Sequence, residues 1–177
     1  MPTEIVRDPN GVTYTLVRQA DPKACGLAAV ATTILARMFV CPKDPPTEQS
    51  LLAQLGLSTI PDGGLARSQL AQLLTLNNIP HDVVSYGDTS AFIPDLKNRI
   101  KPKKPGILHV MRGTAGAYAG HWVTAVNVTP DFLVVLDPMY GLQLVDFTLL
   151  PHYPYVQRGG EGGGTGVVFS GQCLLTT

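Results

Sequence analysis

Residues 19–40, QADPKACGLAAVATTILARMFV, decide which fold this sequence adopts. From Cys25 onward the segment is rich in Ala, Leu, Ile, Val and Met on nearly every helical face, which predicts a helix buried on most sides. Asp21-Pro22 is a turn pair, and proline is tolerated at a helix start, so we expect the helix to begin near residues 23–25. The first half of the chain is therefore organised around one buried helix that carries a cysteine at its N-terminal end.

The rest of the chain divides into a helical part and a β-rich part. Residues 47–55 and 65–76 predict two further helices, the first capped by Thr47. The runs HDVVSY, GILHVMR, HWVTAVNV, DFLVVLD and GVVFSGQCLL then predict strands, with a short helix at residues 94–100 between them. Helices followed by strands indicate an α+β fold, in which an N-terminal helical layer packs on a mostly antiparallel sheet with a cleft between the layers. We expect one domain over residues 1–177.

Composition excludes several classes of protein. The 177 residues are 45% hydrophobic and 15% charged, with 13 basic and 13 acidic side chains, so a nucleic-acid partner is not expected. No run of about 18 apolar residues is present, and the acidic first residues do not resemble a signal peptide. We therefore expect no membrane insertion and a protein that is cytoplasmic as synthesised. Three cysteines without a CxxC pair, and histidines without HExxH spacing, predict neither a disulfide framework nor a metal or other cofactor.

Cys25 has the position that a reactive thiol needs. A thiolate at a helix N-terminus is stabilised by the macrodipole and by free N–H groups, which lowers its pKa. The backbone N–H of Cys25 and the side-chain amide of Gln19, six residues earlier, could together form an oxyanion hole. Cys41 follows a helix end and Cys173 lies in a β-rich run, so both are predicted to be structural.

A thiolate nucleophile also needs a base, and His121 is the best candidate because it opens a predicted strand after small residues. Asp137 ends the next strand, and a hairpin centred near residue 129 would place it opposite His121, where it could fix the imidazole tautomer. Asn127, on the same strand as His121, is the competing orienting residue. His81, His109 and His152 lack such context; His109, which alternates with apolar residues, is predicted to be a packed or edge residue.

Taken together, Gln19, Cys25-Gly26, a buried helix, a strand-opening His121 and Asp137-Pro138 make the sequence similar to the papain-like superfamily. The C39 group of bacteriocin-processing peptidases is the closest resemblance, and it extends over roughly residues 16–141. The resemblance implies Cys25 as nucleophile, His121 as general base and acid, Asp137 as orienting residue and Gln19 as oxyanion donor. It departs from that group at Ala24, where the group usually has an acidic residue.

The resemblance implies a cysteine peptidase that hydrolyses peptide bonds through an acyl-enzyme, with a protein or peptide as substrate. A leader-peptide-processing peptidase is one form of this expectation. The other is a bacterial effector or toxin that is exported without a signal peptide and has an immunity or inhibitor protein as its partner. Two alternatives stay open: a glutamine deamidase or transglutaminase with the same thioester chemistry, and a non-catalytic peptide-binding module. Residues 159–166 (GGEGGGTG) are predicted to form a loop between two strands.

Overall fold

The structure, a computed structural model, describes residues 1–38, 45–87, 89–113, 119–147 and 166–177. Four α-helices lie in these ranges: α1 (Cys25–Met38), α2 (Glu48–Gln54), α3 (Arg67–Leu76) and α4 (Thr89–Arg99). Eight strands accompany them: β1 (Thr3–Arg7), β2 (Thr13–Val17), β3 (His81–Ser85), β4 (Gly106–Gly113), β5 (Ala119–Val128), β6 (Phe132–Asp137), β7 (Gly141–Asp146) and β8 (Gly166–Thr176). No helix in the described ranges is long and apolar enough to cross a membrane.

The central feature is a six-stranded antiparallel sheet with the strand order β3-β8-β4-β5-β6-β7. Strands β4 to β7 follow one another as neighbours, whereas β8 returns to pair between β3 and β4. A separate hairpin of β1 and β2 packs beside α1. The predicted α+β fold, with a helical layer on an antiparallel sheet, is confirmed.

The helices cover both faces of the sheet. Ile107 and Trp122 pack against α1, α2 and α3, whereas their chain neighbours Leu108 and Val123 pack against α4. Because successive side chains of a strand point to opposite faces, α1 to α3 lie on one face and α4 on the other. The helix that carries Cys25 therefore belongs to the three-helix layer.

Helix α1 is anchored to strands on two sides. Residues 25–36 are all buried, as the apolar run predicts. Two buried hydrogen bonds cross these contacts: the backbone N–H of Val17 donates to Thr32 Oγ1 (3.0 Å), and Thr124 Oγ1 donates to the carbonyl of Ala29 (3.1 Å). An unsatisfied buried polar group would cost about 1–3 kcal/mol, so these pairs also fix how the helix sits on its neighbours.

Several elements differ from the sequence prediction. The helix predicted at residues 94–100 instead spans Thr89–Arg99. Phe92, Leu96 and Ile100 are buried at helical spacing, and this apolar stripe stabilises a helix that includes Pro94. Strands β1 and β7 were not predicted. Cys41, His152 and residues 159–165 of the predicted glycine-rich loop lie outside the described residues, so these predictions stay untested.

Helix α3 allows a matched test of the core. We expect Leu73→Ala to lower the free energy of unfolding by about 2–5 kcal/mol, because Leu73 is fully buried and its truncation leaves a cavity. Leu76→Ala, on the same helix but half exposed, should change it by no more than about 0.5 kcal/mol. Urea denaturation of both variants measures the difference, and equal losses would contradict the packing of α3.

Candidate active site

Cys25 is the first residue of α1 and lies at the end of a short 3₁₀ turn, Pro22–Ala24. Asp21 caps that turn: its carboxylate accepts from the backbone N–H of Lys23 (2.7 Å), and its carbonyl accepts from that of Ala24 (2.9 Å). The Asp21-Pro22 pair thus forms the helix start that the sequence predicts. Cys25 is held at a helix N-terminus and is only 6% exposed.

His121 and Asp137 form a buried hydrogen-bonded pair. His121 Nε2 lies 3.0 Å from Asp137 Oδ1, and the aspartate side chain is completely buried. The same oxygen accepts from the backbone N–H groups of Met139 (2.8 Å) and Tyr140 (3.1 Å), so the turn after β6 fixes the carboxylate. Because a carboxylate oxygen only accepts, Nε2 carries the proton in this contact, and Nδ1 is left for another partner.

The contact forms through a different strand register from the predicted one. The prediction placed His121 directly opposite Asp137, but the structure pairs Thr124 with Leu136, which aligns Asp137 two residues further along β5. The turn lies at residues 129–132, later than the predicted centre. A two-residue offset keeps both side chains on the same face, and diagonal neighbours across a strand pair are within reach of long side chains. The predicted register is wrong, although the two side chains meet.

The Cys25 thiol lies beside the imidazole of His121, close enough for this ring to act on the pKa of the thiol. Burial by itself raises the pKa of the thiol. The hydrogen bond and charge of His121, together with the backbone N–H groups of Trp122 and Gly26, outweigh burial and bring the pKa of Cys25 below its ordinary value. The thiolate is therefore easier to form at this site than in a free cysteine.

The imidazole shifts in the complementary direction. Burial lowers the pKa of His121, but its hydrogen bonds to Asp137 and Cys25, and the negative charges of both, raise it above its ordinary value. A lowered thiol pKa and a raised imidazole pKa both favour transfer of the proton from sulfur to ring. The arrangement can therefore hold a thiolate beside an imidazolium.

Gln19 lies in the turn that precedes Cys25. Its Nε2 donates to the carbonyl of Asp21 (3.1 Å), and its backbone N–H donates to the carbonyl of Pro138 (3.2 Å), the residue after Asp137. The second contact links the turn before α1 to the turn that follows β6. One hydrogen of the Gln19 amide is used by Asp21, and the other remains for a further acceptor.

A cleft of about 380 Å³ opens beside the thiol of Cys25. One wall is the loop at residues 63–67, and the other is formed by His109, Gly120, Trp122 and Gln172. Trp122 joins the walls, because its indole N–H donates to the carbonyl of Leu65 (3.1 Å). Gly63 and Gly64 leave backbone open in the loop wall, whereas the ring of His109 covers Gly120.

Other sequence candidates are placed elsewhere. Asn127 donates to Asp8 (2.6 Å) in a buried cluster below the β1–β2 hairpin, so it does not orient His121. Cys173 is buried in β8, as predicted, and burial raises the pKa of its thiol to about 12. Among the described residues, no group of three or more His, Cys, Asp or Glu side chains could hold a metal ion.

Sequence reasoning missed His109 as a residue of the cleft. Its alternation with Leu108 and Val110 indicated a packed or edge position, yet the pairing of β4 with β5 sets it directly opposite Trp122. Trp122 faces the layer that contains Cys25, so a residue opposite it faces the same side. The pairing of these two strands was the information needed, and one sequence does not provide it.

Comparison with solved structures defines the class of fold. The peptidase domain of Streptococcus ComA, described as a bi-functional ABC transporter of a quorum-sensing pathway, matches with a TM-score of 0.59 and 16% identity, over 92% of this chain and 98% of that one. A double glycine motif protease from an AMS/PCAT transporter, solved with its leader peptide, matches equally well at 0.59 and 16%, over 98% and 91%. The Streptococcus mutans ComA peptidase domain gives 0.52 and 13%, over 92% and 98%.

The chain has the papain-like fold of C39 peptidase domains. No protein-family model matches the sequence, and a search of curated proteins finds no match either. The likeness is therefore carried by the three-dimensional structure.

The thiol–imidazole pair predicts how alkylation depends on pH. Iodoacetamide should label Cys25 with a midpoint below about pH 8.5, the ordinary value of a free thiol. In His121→Ala the hydrogen bond and charge are removed but burial remains, so the midpoint should move above that value. Mass spectrometry of the Cys25 peptide across a pH series measures both profiles. Cys173 is the internal control and should stay unlabelled; identical Cys25 profiles in the two proteins would contradict the pairing.

Proposed function

We propose that the protein is a cysteine peptidase that acts through an acyl-enzyme on Cys25. One observation carries the proposal: a thiol at a helix N-terminus lies beside an imidazole that lowers its pKa, and this imidazole hydrogen-bonds to a buried carboxylate. Nucleophile, base and orienting group in this order are what acyl transfer by a thiol requires. The cleft beside the sulfur provides the space for a peptide.

Each residue has a defined part in the proposed reaction. The Cys25 thiolate attacks the peptide carbonyl carbon, and the carbonyl oxygen becomes an oxyanion. The imidazolium of His121 donates its proton to the leaving amine, which departs and leaves a thioester on Cys25. Neutral His121 then takes a proton from water, and the resulting hydroxide attacks the thioester carbonyl carbon; the C–S bond breaks, the carboxylic acid leaves, and the thiolate beside the imidazolium is restored. Asp137 holds the ring in orientation and stabilises its positive charge.

The proposed substrate is a peptide with small residues before the scissile bond, of the leader-peptide type. Two observations support this class. Solved proteins with the same fold are described as peptidase domains, one as a double glycine motif protease in complex with a leader peptide. In this chain the cleft walls include Gly63 and Gly64. Glycines leave room for a peptide backbone to approach the walls closely.

Cys25→Ala tests the proposed nucleophile. The probe is an internally quenched peptide with a Gly-Gly pair at its centre, and a Leu-Leu peptide of otherwise identical sequence is the matched substrate. We expect cleavage of the Gly-Gly peptide to fall by at least about 10⁴-fold in Cys25→Ala, because the acyl-enzyme cannot form. Fluorescence measures the rate, and mass spectrometry identifies the products.

Cys173→Ala is the matched cysteine control for this experiment and should retain cleavage. Equal cleavage rates for Cys25→Ala and the unmodified protein would show that Cys25 is not the nucleophile. Equal cleavage of the two peptides would contradict the proposed substrate class but leave the peptidase proposal standing. Conversion of glutamine to glutamate in an intact chain would instead identify the protein as a deamidase.

Gln19→Ala tests the proposed oxyanion donor. We expect kcat to fall by about 10²–10³-fold, the usual loss when one donor to an oxyanion is removed. Alkylation of Cys25 by iodoacetamide forms no oxyanion, so its rate should change by less than about threefold. Steady-state kinetics and alkylation on the same preparation give both numbers. Parallel losses in the two reactions would show that Gln19 acts by shaping the helix start.

A further inference from the structure

The cleft is lined by the imidazole of His109, which the proposed reaction does not use. His109 lies on β4 directly opposite Trp122 on β5, and the centroids of the two rings are 4.5 Å apart. Both residues line the same cleft as Cys25. His109 is therefore placed to contact whatever the cleft binds.

Ser170 fixes the tautomer of this imidazole. Ser170 Oγ donates its single hydrogen to the carbonyl of His109 (3.1 Å), so every other contact of this oxygen must be one in which it accepts. One such contact is with the backbone N–H of Gln172 (3.3 Å), and another is with His109 Nδ1 (2.8 Å). Nδ1 therefore carries the proton, and Nε2 presents a lone pair.

Two features describe the nitrogen that carries this lone pair: the charge state of the ring and its position over Gly120. Burial lowers the pKa of His109, and the positive charges of His121 and Arg67 lower it further, so the ring stays neutral. The ring also stands close over Gly120: a Cβ built at this position would lie 2.7 Å from Nε2. Only a glycine before His121 allows the acceptor to occupy this place. Among the residues that the structure describes, none donates a hydrogen bond to Nε2.

We propose that His109 is a substrate-binding residue whose Nε2 accepts a hydrogen bond from a backbone N–H of the peptide in the cleft. This inference rests on the proposed peptidase function and adds a recognition contact to it. A backbone donor is favoured because Gly63 and Gly64 line the same cleft as His109 and leave room for a main chain. An extended peptide directs successive N–H groups to opposite sides, so one of them meets the sheet wall.

Binding can be measured without cleavage in the Cys25→Ala protein. The probe is a fluorescein-labelled Gly-Gly peptide, followed by fluorescence anisotropy. His109→Phe keeps a ring against Trp122 but removes the acceptor, and we expect it to weaken binding about five- to tenfold, as loss of one hydrogen bond does. His109→Gln keeps an acceptor oxygen and should recover most of the affinity. Thermal melting of each variant shows whether it is folded.

N-methylation of the peptide distinguishes a hydrogen bond from a packing effect. In a series methylated at one backbone nitrogen at a time, one position should weaken binding to the His109 protein about five- to tenfold. The same N-methyl group should weaken binding to His109→Phe by less than about twofold, because this variant already lacks the acceptor nitrogen of His109. Equal penalties at every position in the two proteins would overturn the proposal.

The outcomes for His109 and for the peptidase proposal are separable. Coupling between His109 and one N-methyl position in Cys25→Ala, together with no cleavage of the peptide by the unmodified protein, would support the contact and refute the peptidase. Cleavage by the unmodified protein without such coupling would refute the contact and keep the peptidase. A Gly-Gly peptide that binds no version of the protein would overturn the His109 contact together with the proposed substrate class.

Discussion

The hydrogen bond between His121 and Asp137 is the constraint on which the site depends. Burying a carboxylate without partners is costly, so complete burial of Asp137 requires that donors already be in place. Two backbone N–H groups of the following turn and the imidazole meet this need at a single oxygen. Those donors come from β5 and from the turn between β6 and β7, so the carboxylate can be buried only if these strands have paired. Folding of the sheet and assembly of the site are thus the same event.

Helix α1 provides the second half of the arrangement, and its burial has two opposing effects on the sulfur. The packing that holds Cys25 in place also removes water, which by itself disfavours the thiolate. The neighbouring imidazole and two backbone N–H groups reverse that effect. Cys173 shows the result when they are absent: it is also buried, and burial dominates, so its pKa rises to about 12. The difference between the two thiols lies in their partners rather than in their depth.

Local sequence patterns predicted most of the helices and strands. They did not predict how strands that are distant in the sequence pair with one another. The apolar run of α1, the Thr47 cap and the β-rich second half are properties of consecutive residues, and the structure has each of them. The position of the β5–β6 turn, and thus the register that offsets His121 from Asp137, depends on contacts that one sequence does not reveal. The same holds for His109, which becomes part of the cleft only through its pairing with Trp122 on another strand.

The imidazoles of His121 and His109 show how one residue type is given two properties. In each ring one nitrogen is held by a hydrogen bond to a protein side chain, Asp137 for His121 and Ser170 for His109. A carboxylate holds His121 and raises its pKa, so this ring is suited to carry a positive charge beside a thiolate. The Ser170 hydroxyl, which donates its own hydrogen to the His109 carbonyl, accepts from Nδ1 of His109. This leaves a neutral ring with a lone pair on Nε2. The positive charge of His121 itself helps to keep His109 neutral, so the charge state of the first ring supports the acceptor role of the second.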